Sequence, residues 1–184
     1  MECPSLTQLD INLGNGLEGA ATIGQDPDIA GFAEDVIQFV RQSNCVDNLQ
    51  VFRLNDCYIS VAGLIPIFRE VHSVEHLILQ DVCVDGSLFK CIGDEGLLPH
   101  LEVLDVLDAV PDFDYWKVVD FVTGRNNPGG EEEGEEEEGP SSIQIDTTIS
   151  IPTSKSRLQE HDLRLEALRN NGVKIRLQLG DIMY

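Results

Sequence analysis

Three groups of side chains have the types and spacing to do chemistry. His72 and His76 stand four residues apart, the separation that sets two imidazoles side by side on a helix face for a metal ion. Ser73 and Val74 fall where a helix gives way to a strand, however, so the two rings should diverge, and no Glu or third ligand accompanies them. Asp108, Asp112 and Asp114 crowd a strand-to-helix connection, where a hard cation would find several oxygens. They lack the turn glycine and the bidentate Glu of a calcium loop. Capping of the next helix by Asp112, with favourable charge at its N-terminus, accounts for them more simply. Cys57 is a nucleophile by type, but its repeat position predicts burial beneath a strand turn and a structural role. Gly14, Gly16, Gly19 and Gly24 are too dispersed to cradle a phosphate, and G-x-S-x-G, C-x-x-C and H-E-x-x-H are absent. The residues therefore predict no catalytic centre, no cofactor and no metal: a protein that is not an enzyme.

The elements that position these residues are repetitive. Leu49-x-x-Phe52-x-Leu54, Val74-x-x-Leu77-x-Leu79 and Leu101-x-x-Leu104-x-Val106 begin 25 and then 27 residues apart. Apolar residues at positions 1, 4 and 6 with that period are the signature of leucine-rich repeats. Alternation fits a short parallel strand buried on one face, and the remaining residues must hold the return connection. Cys57 and Ile59 extend the pattern after Leu54, and Val82 and Val84 do so after Leu79. Leu64, Ile65, Phe68 and Val71 suit a short return helix in which Pro66 is tolerable only near the first turn. Leu88, Cys91 and Ile92 suit a second, closed by Gly93–Gly96. Tyr115, Val118, Val119 and Val122 suit a third, ended by Gly124, with Trp116 beside it.

The flanks are less regular. Leu6-x-x-Leu9-x-Ile11 repeats the motif, and a glycine-rich loop over Gly14–Asp28 leads to a helical pattern at Ala33, Val36, Ile37 and Val40. Residues 126–142 break the composition with Asn-Asn-Pro-Gly-Gly, a Glu run and Gly-Pro-Ser-Ser. Like charges and a lack of apolar residues predict a disordered acidic insertion. Ile143, Ile145, Thr147, Ile149 and Ile151 then alternate as a strand. Leu158, His161, Leu165 and Leu168 read as a helix capped at Gly172, and Val173, Ile175, Leu177 and Leu179 as a last strand. Order returns after the insertion, so residues 1–184 are read as one domain.

With 33 acidic and 12 basic residues the net charge is −21, and seven of the acids lie in Glu131–Glu138. Such an excess repels nucleic-acid phosphates and anionic lipid, so neither is expected as a partner. No apolar run reaches the roughly 18 residues of a membrane span, and Met1–Asn15 lacks a secretory signal. Five scattered cysteines suit reduced thiols and an intracellular location, cytoplasmic or nuclear.

If positions 1, 4 and 6 point inward, positions 5 and 7 decorate an exposed sheet. Position 5 supplies Asp10, Arg53, Ile78 and Asp105, and position 7 supplies Asn12, Asn55, Gln80 and Leu107. Glu75, Asp81, Glu102 and Asp108 flank them. An apolar anchor at Ile78 and Leu107 inside a charged rim suits a protein with a basic surface. Arg53, Asn55, Ile78, Gln80, Asp105 and Leu107 are the candidate binding residues, and the chain in isolation is expected to be a monomer.

Asn48–Ser73, with Cys57 in the turn and Gly63-Leu64 opening the helix, resembles the cysteine-containing leucine-rich repeats of F-box proteins. Leu165-Glu-Ala-Leu168-Arg-Asn-Asn-Gly172-Val-Lys-Ile175 is similar to the end of fungal F-box proteins with degenerate repeats. The resemblance implies an α/β leucine-rich-repeat solenoid: a curved parallel sheet of five or six strands backed by short helices. It also implies the substrate-binding part of a ubiquitin-ligase adaptor. No Leu-Pro-x-Glu segment, the family's adaptor-docking part, precedes Cys3, and the abrupt start of the repeats reads as the tail of a longer protein rather than as a chain that simply begins there. The alternative is a truncated structural fragment or a stand-alone repeat protein with no ligase link.

Overall fold

The computed structural model describes residues 6–12, 29–57, 59–82, 84, 86–108, 113–126, 145–151, 166 and 175–179. In chain order they form β1 (Gln8–Asn12), α1 (Ile29–Gln42), β2 (Val51–Cys57), α2 (Val61–Glu70) and β3 (His76–Val82). There follow α3 (Ser87–Asp94), β4 (Val103–Leu107), α4 (Tyr115–Asn126), β5 (Asp146–Ile151) and β6 (Ile175–Leu179). The expected loop at Gly14–Asp28, the acidic stretch beyond Asn126, Asp112 and most of the last expected helix lie outside the described residues.

The architecture is α/β. The strands lie side by side in chain order, β1-β2-β3-β4-β5-β6, and every pair is parallel. Register follows the motif: Ile11, Leu54, Leu79 and Val106, all at position 6, are successive partners. A one-residue slip would turn every apolar side chain to the wrong face, so the pattern fixes the alignment. Phe52, Leu54, Leu77, Leu79, Leu104, Val106 and Ile149 share one buried cluster with Val36 and Val40 of α1, Leu64 and Phe68 of α2, Leu88 and Ile92 of α3, and Val118 and Val122 of α4. Position 1 (Leu49, Val74, Leu101) is buried just ahead of each strand, so the motif spans strand and approach alike.

At the strand entrances a second ladder runs across the sheet. The Thr7 carbonyl accepts from the Gln50 and Val51 N–H groups, that of Gln50 from Glu75 and His76, and that of Glu75 from Glu102 and Val103. The Glu102 carbonyl then accepts from Asp146. At the other end, Asp56, Asp81 and Asp108 occupy position 8 of three repeats, each left-handed with φ of 52°, 50° and 52°. Asp is one of the few non-glycine residues that visits this region readily, which explains its recurrence there.

Two helix readings need correction. Pro66 lies inside α2, beyond its first turn. It and Ala62, whose carbonyl loses a donor, lie towards solvent, where water can replace the missing hydrogen bond. Gly124 does not end α4, which runs to Asn126. Arg125 secures that last turn: Nη1 donates to the Leu98 carbonyl at 2.7 Å, and Nη2 donates to that of Leu97. Burial lowers the pKa of its guanidinium from the ordinary value, and the group sits 5.3 Å from the Phe121 ring centre. Leu98, held by this contact, is itself left-handed at φ 51°, a costly conformation for a bulky residue.

Candidate functional site

Position 3, 5 and 7 residues of β1–β4 lie opposite the buried face, and none of those described is fully buried. Parallel register sets them in rows. One row reads Asp10, Arg53, Ile78, Asp105, Thr148, and continues to the Arg176 position of β6. The next reads Asn12, Asn55, Gln80, Leu107. All six candidate residues (Arg53, Asn55, Ile78, Gln80, Asp105, Leu107) therefore fall on one contiguous, half-buried patch.

Hydrogen bonds fix its polar members. Arg53 Nη2 donates to Gln80 Oε1, and Gln80 Nε2 donates to Asp108 Oδ2 at 3.1 Å. His76 Nε2 lies 2.9 Å from Asp105 Oδ2. Ile78 thus sits between a tethered guanidinium on β2 and a tethered carboxylate on β4, and adjoins Leu107 diagonally. Arg53 Nε is shut from solvent without a partner among the described residues. Such an arrangement offers an apolar contact whose polar surroundings are already ordered, which lowers the entropy cost of binding.

His76 and Asp108 belong to this patch although the sequence analysis weighed them for metal chemistry. Position 3 of the motif, which yields Val51, His76 and Val103, was the signal that would have placed His76. His72 points elsewhere, with Nε2 3.4 Å from Asp47, so the two imidazoles do diverge. Asp114 accepts from the Trp116 N–H at 3.2 Å at the start of α4, which is helix capping. No cluster of three potential metal ligands occurs among the described residues. Cys45 and Cys57 are buried and unbridged.

A groove of about 930 Å³ lies elsewhere, between α1 and α2, lined in part by Ala33, Ile37, Ala62 and Pro66. Its polar lining includes Glu34, Arg41 and Ser60, and Arg41 is committed to Glu70 at 2.7 and 2.8 Å. Ser60 accepts from the Gly63 N–H at the start of α2. Among the described strands the order never reverses, so none of them marks a switch point of the kind that opens a ligand crevice in doubly wound folds. No described helix is long and apolar enough to cross a membrane.

No protein-family model matches the chain, and neither a curated protein nor a solved structure matches it significantly.

Proposed function

We propose that the chain is a non-catalytic protein-recognition module, a leucine-rich-repeat solenoid that uses the open face of its sheet. The observation that carries the reading is the row Asp10–Arg53–Ile78–Asp105 on that face, with Arg53 and Asp105 tied to neighbours on other strands. Asp10, Asp105 and Asp146 outnumber Arg53 as fixed charges on the described face, and the whole chain carries −21. The partner is therefore a protein segment that brings Lys or Arg around an aliphatic side chain, steered by opposite charge and anchored at Ile78 and Leu107. The repeat motifs support a role like the substrate-binding part of an F-box ubiquitin-ligase adaptor, and the scattered placing of the five cysteines supports an intracellular setting.

Fluorescence anisotropy against a panel of Lys/Arg-rich peptides with one central Leu or Ile tests this. The Ile78→Ala/Asp105→Asn double variant should lose about tenfold or more in affinity, where tenfold is about 1.4 kcal/mol, while still melting cooperatively well above the assay temperature. Binding by the parent chain should weaken with salt. Equal affinity of parent and variant for every peptide that binds overturns the assignment.

A further inference from the structure

Within the patch, register sets a direction oblique to rows and strands alike. Val51 pairs with His76, and Ile78 stands two residues further along β3; Ile78 pairs with Asp105, and Leu107 stands two further along β4. Val51, Ile78 and Leu107 therefore form one straight apolar stripe across β2, β3 and β4, each partly open to solvent. Both polar networks run parallel to it. Arg53, Gln80 and Asp108 are bonded in series along one side, and His76 and Asp105 are bonded along the other. The hydrogen bonds thus bank the stripe on both sides and do not cross it. Val103, level with His76 on the next strand, lies beyond the second bank.

The properties of the stripe say what fits it. β2, β3 and β4 each pair with a strand on both sides, so an incoming chain finds no backbone ladder there to join. A segment laid on apolar side chains must then satisfy its own N–H and C=O groups, which a helix does and an extended peptide does not. With strands about 4.8 Å apart and about 3.3 Å per residue along each, Val51 to Leu107 spans about 16 Å, or about three turns of helix. Charge is unequal along the stripe. Asp105 and Asp108 flank Leu107 from the two banks, whereas Arg53 borders the Val51 end. We infer that the partner segment is an amphipathic helix of about three turns, laid obliquely along Val51–Ile78–Leu107 with its Lys or Arg residues at the Leu107 end. This rests on the protein-recognition reading and adds to it the partner's conformation, path and polarity.

Fluorescence anisotropy with a helix-forming probe is the test. The probe is a peptide of about 15 residues with Leu at alternating spacings of three and four, and Lys beside that face at one end. One form is held helical by a side-chain bridge on its outer face, and a second is broken by a central Pro. The bridged form should bind the parent chain about tenfold or more tighter than the Pro form, because its ordering cost is already met. Val51→Thr keeps the β-branched shape but sets a hydroxyl in the stripe, and should weaken the bridged peptide about threefold or more. Asp108→Asn keeps a residue suited to the left-handed backbone and should weaken it to a similar degree. Val103→Thr, the same exchange outside the banks, should leave affinity unchanged, with thermal melts confirming that all the variants fold. A Pro form that binds as tightly as the bridged form overturns the inference, as does equal weakening by Val51→Thr and Val103→Thr. If Ile78→Ala/Asp105→Asn still loses binding in those cases, the face remains the recognition surface and only the helix falls. If that double variant also binds like the parent chain, both fall. Failure of both forms to bind the parent chain overturns the inference too, while the unbridged Lys/Arg panel still tests the surface.

Discussion

Along β3, Leu77 and Leu79 are closed to solvent, while His76, Ile78 and Gln80, on the same backbone, are partly open. β2 and β4 repeat the contrast, with Phe52 and Leu54 against Arg53 and Asn55, and Leu104 and Val106 against Asp105 and Leu107. On the closed side, what recurs is a property: Phe, Leu and Val serve interchangeably at positions 4 and 6, because filling volume away from water is the only demand. On the open side each repeat differs, and the side chains bond to neighbours across strands. Strand pairing fixes the one side by hydrophobicity and leaves the other free to carry specific chemistry.

The strongest way to break this contrast is to truncate matched residues on each side. Phe52→Ala, which removes a buried ring that meets Phe68 edge-on at 6.3 Å, should cost about 3–5 kcal/mol in urea unfolding, and Leu77→Ala about 2–5. Ile78→Ala should cost well under half of either. Equal losses for Leu77 and Ile78 would mean that both sides are core. Arg125→Ala should come next, at about 2–3 kcal/mol, because a half-buried charge donates to two carbonyls there. Arg125→Lys should recover only part of that, since an ammonium lacks the two-pronged reach.

Smaller effects sharpen the picture at the strand ends. Asp81→Val should destabilise by about 1–2 kcal/mol, because a β-branched residue resists a left-handed backbone. Asp81→Gly should be close to neutral, and thermal melts of the pair separate backbone geometry from charge. The smallest effect concerns α1 and α2. Hydrogen bonding to Arg41 holds the Glu70 carboxyl below its ordinary value of 4.5. A lowered folded value means that the pair's contribution is complete above that pH and fades as pH falls through the folded value. Glu70→Gln should therefore lie slightly below the parent chain in stability near neutrality and converge with it in acid.

The strands and their alignment were legible because one spacing, apolar at 1, 4 and 6, encodes both element and register. Pro66 and Gly124 were misread because local propensity was given the last word. In α2 the helix tolerates proline on its solvent side, and in α4 Arg125 carries the helix past the glycine. The candidate patch was legible as six positions but not as a network. The His76–Asp105 and Arg53–Gln80 bonds join residues 29 and 27 apart in sequence, and become visible only when neighbouring strands are laid in register. Arg125 was invisible for a related reason: its partners are backbone carbonyls beside a left-handed leucine, which no side-chain pattern announces.

One hydrogen bond at the rim of the sheet has a practical consequence. Asn126 Oδ1, at the end of α4, accepts from the Ile145 N–H at 2.9 Å, so the residues that precede and follow the Glu-rich stretch are clasped to each other. With both ends pinned by the fold, a change in the number of residues between them should leave strand register where the leucines put it, because the cost of closing a loop rises only slowly with its length.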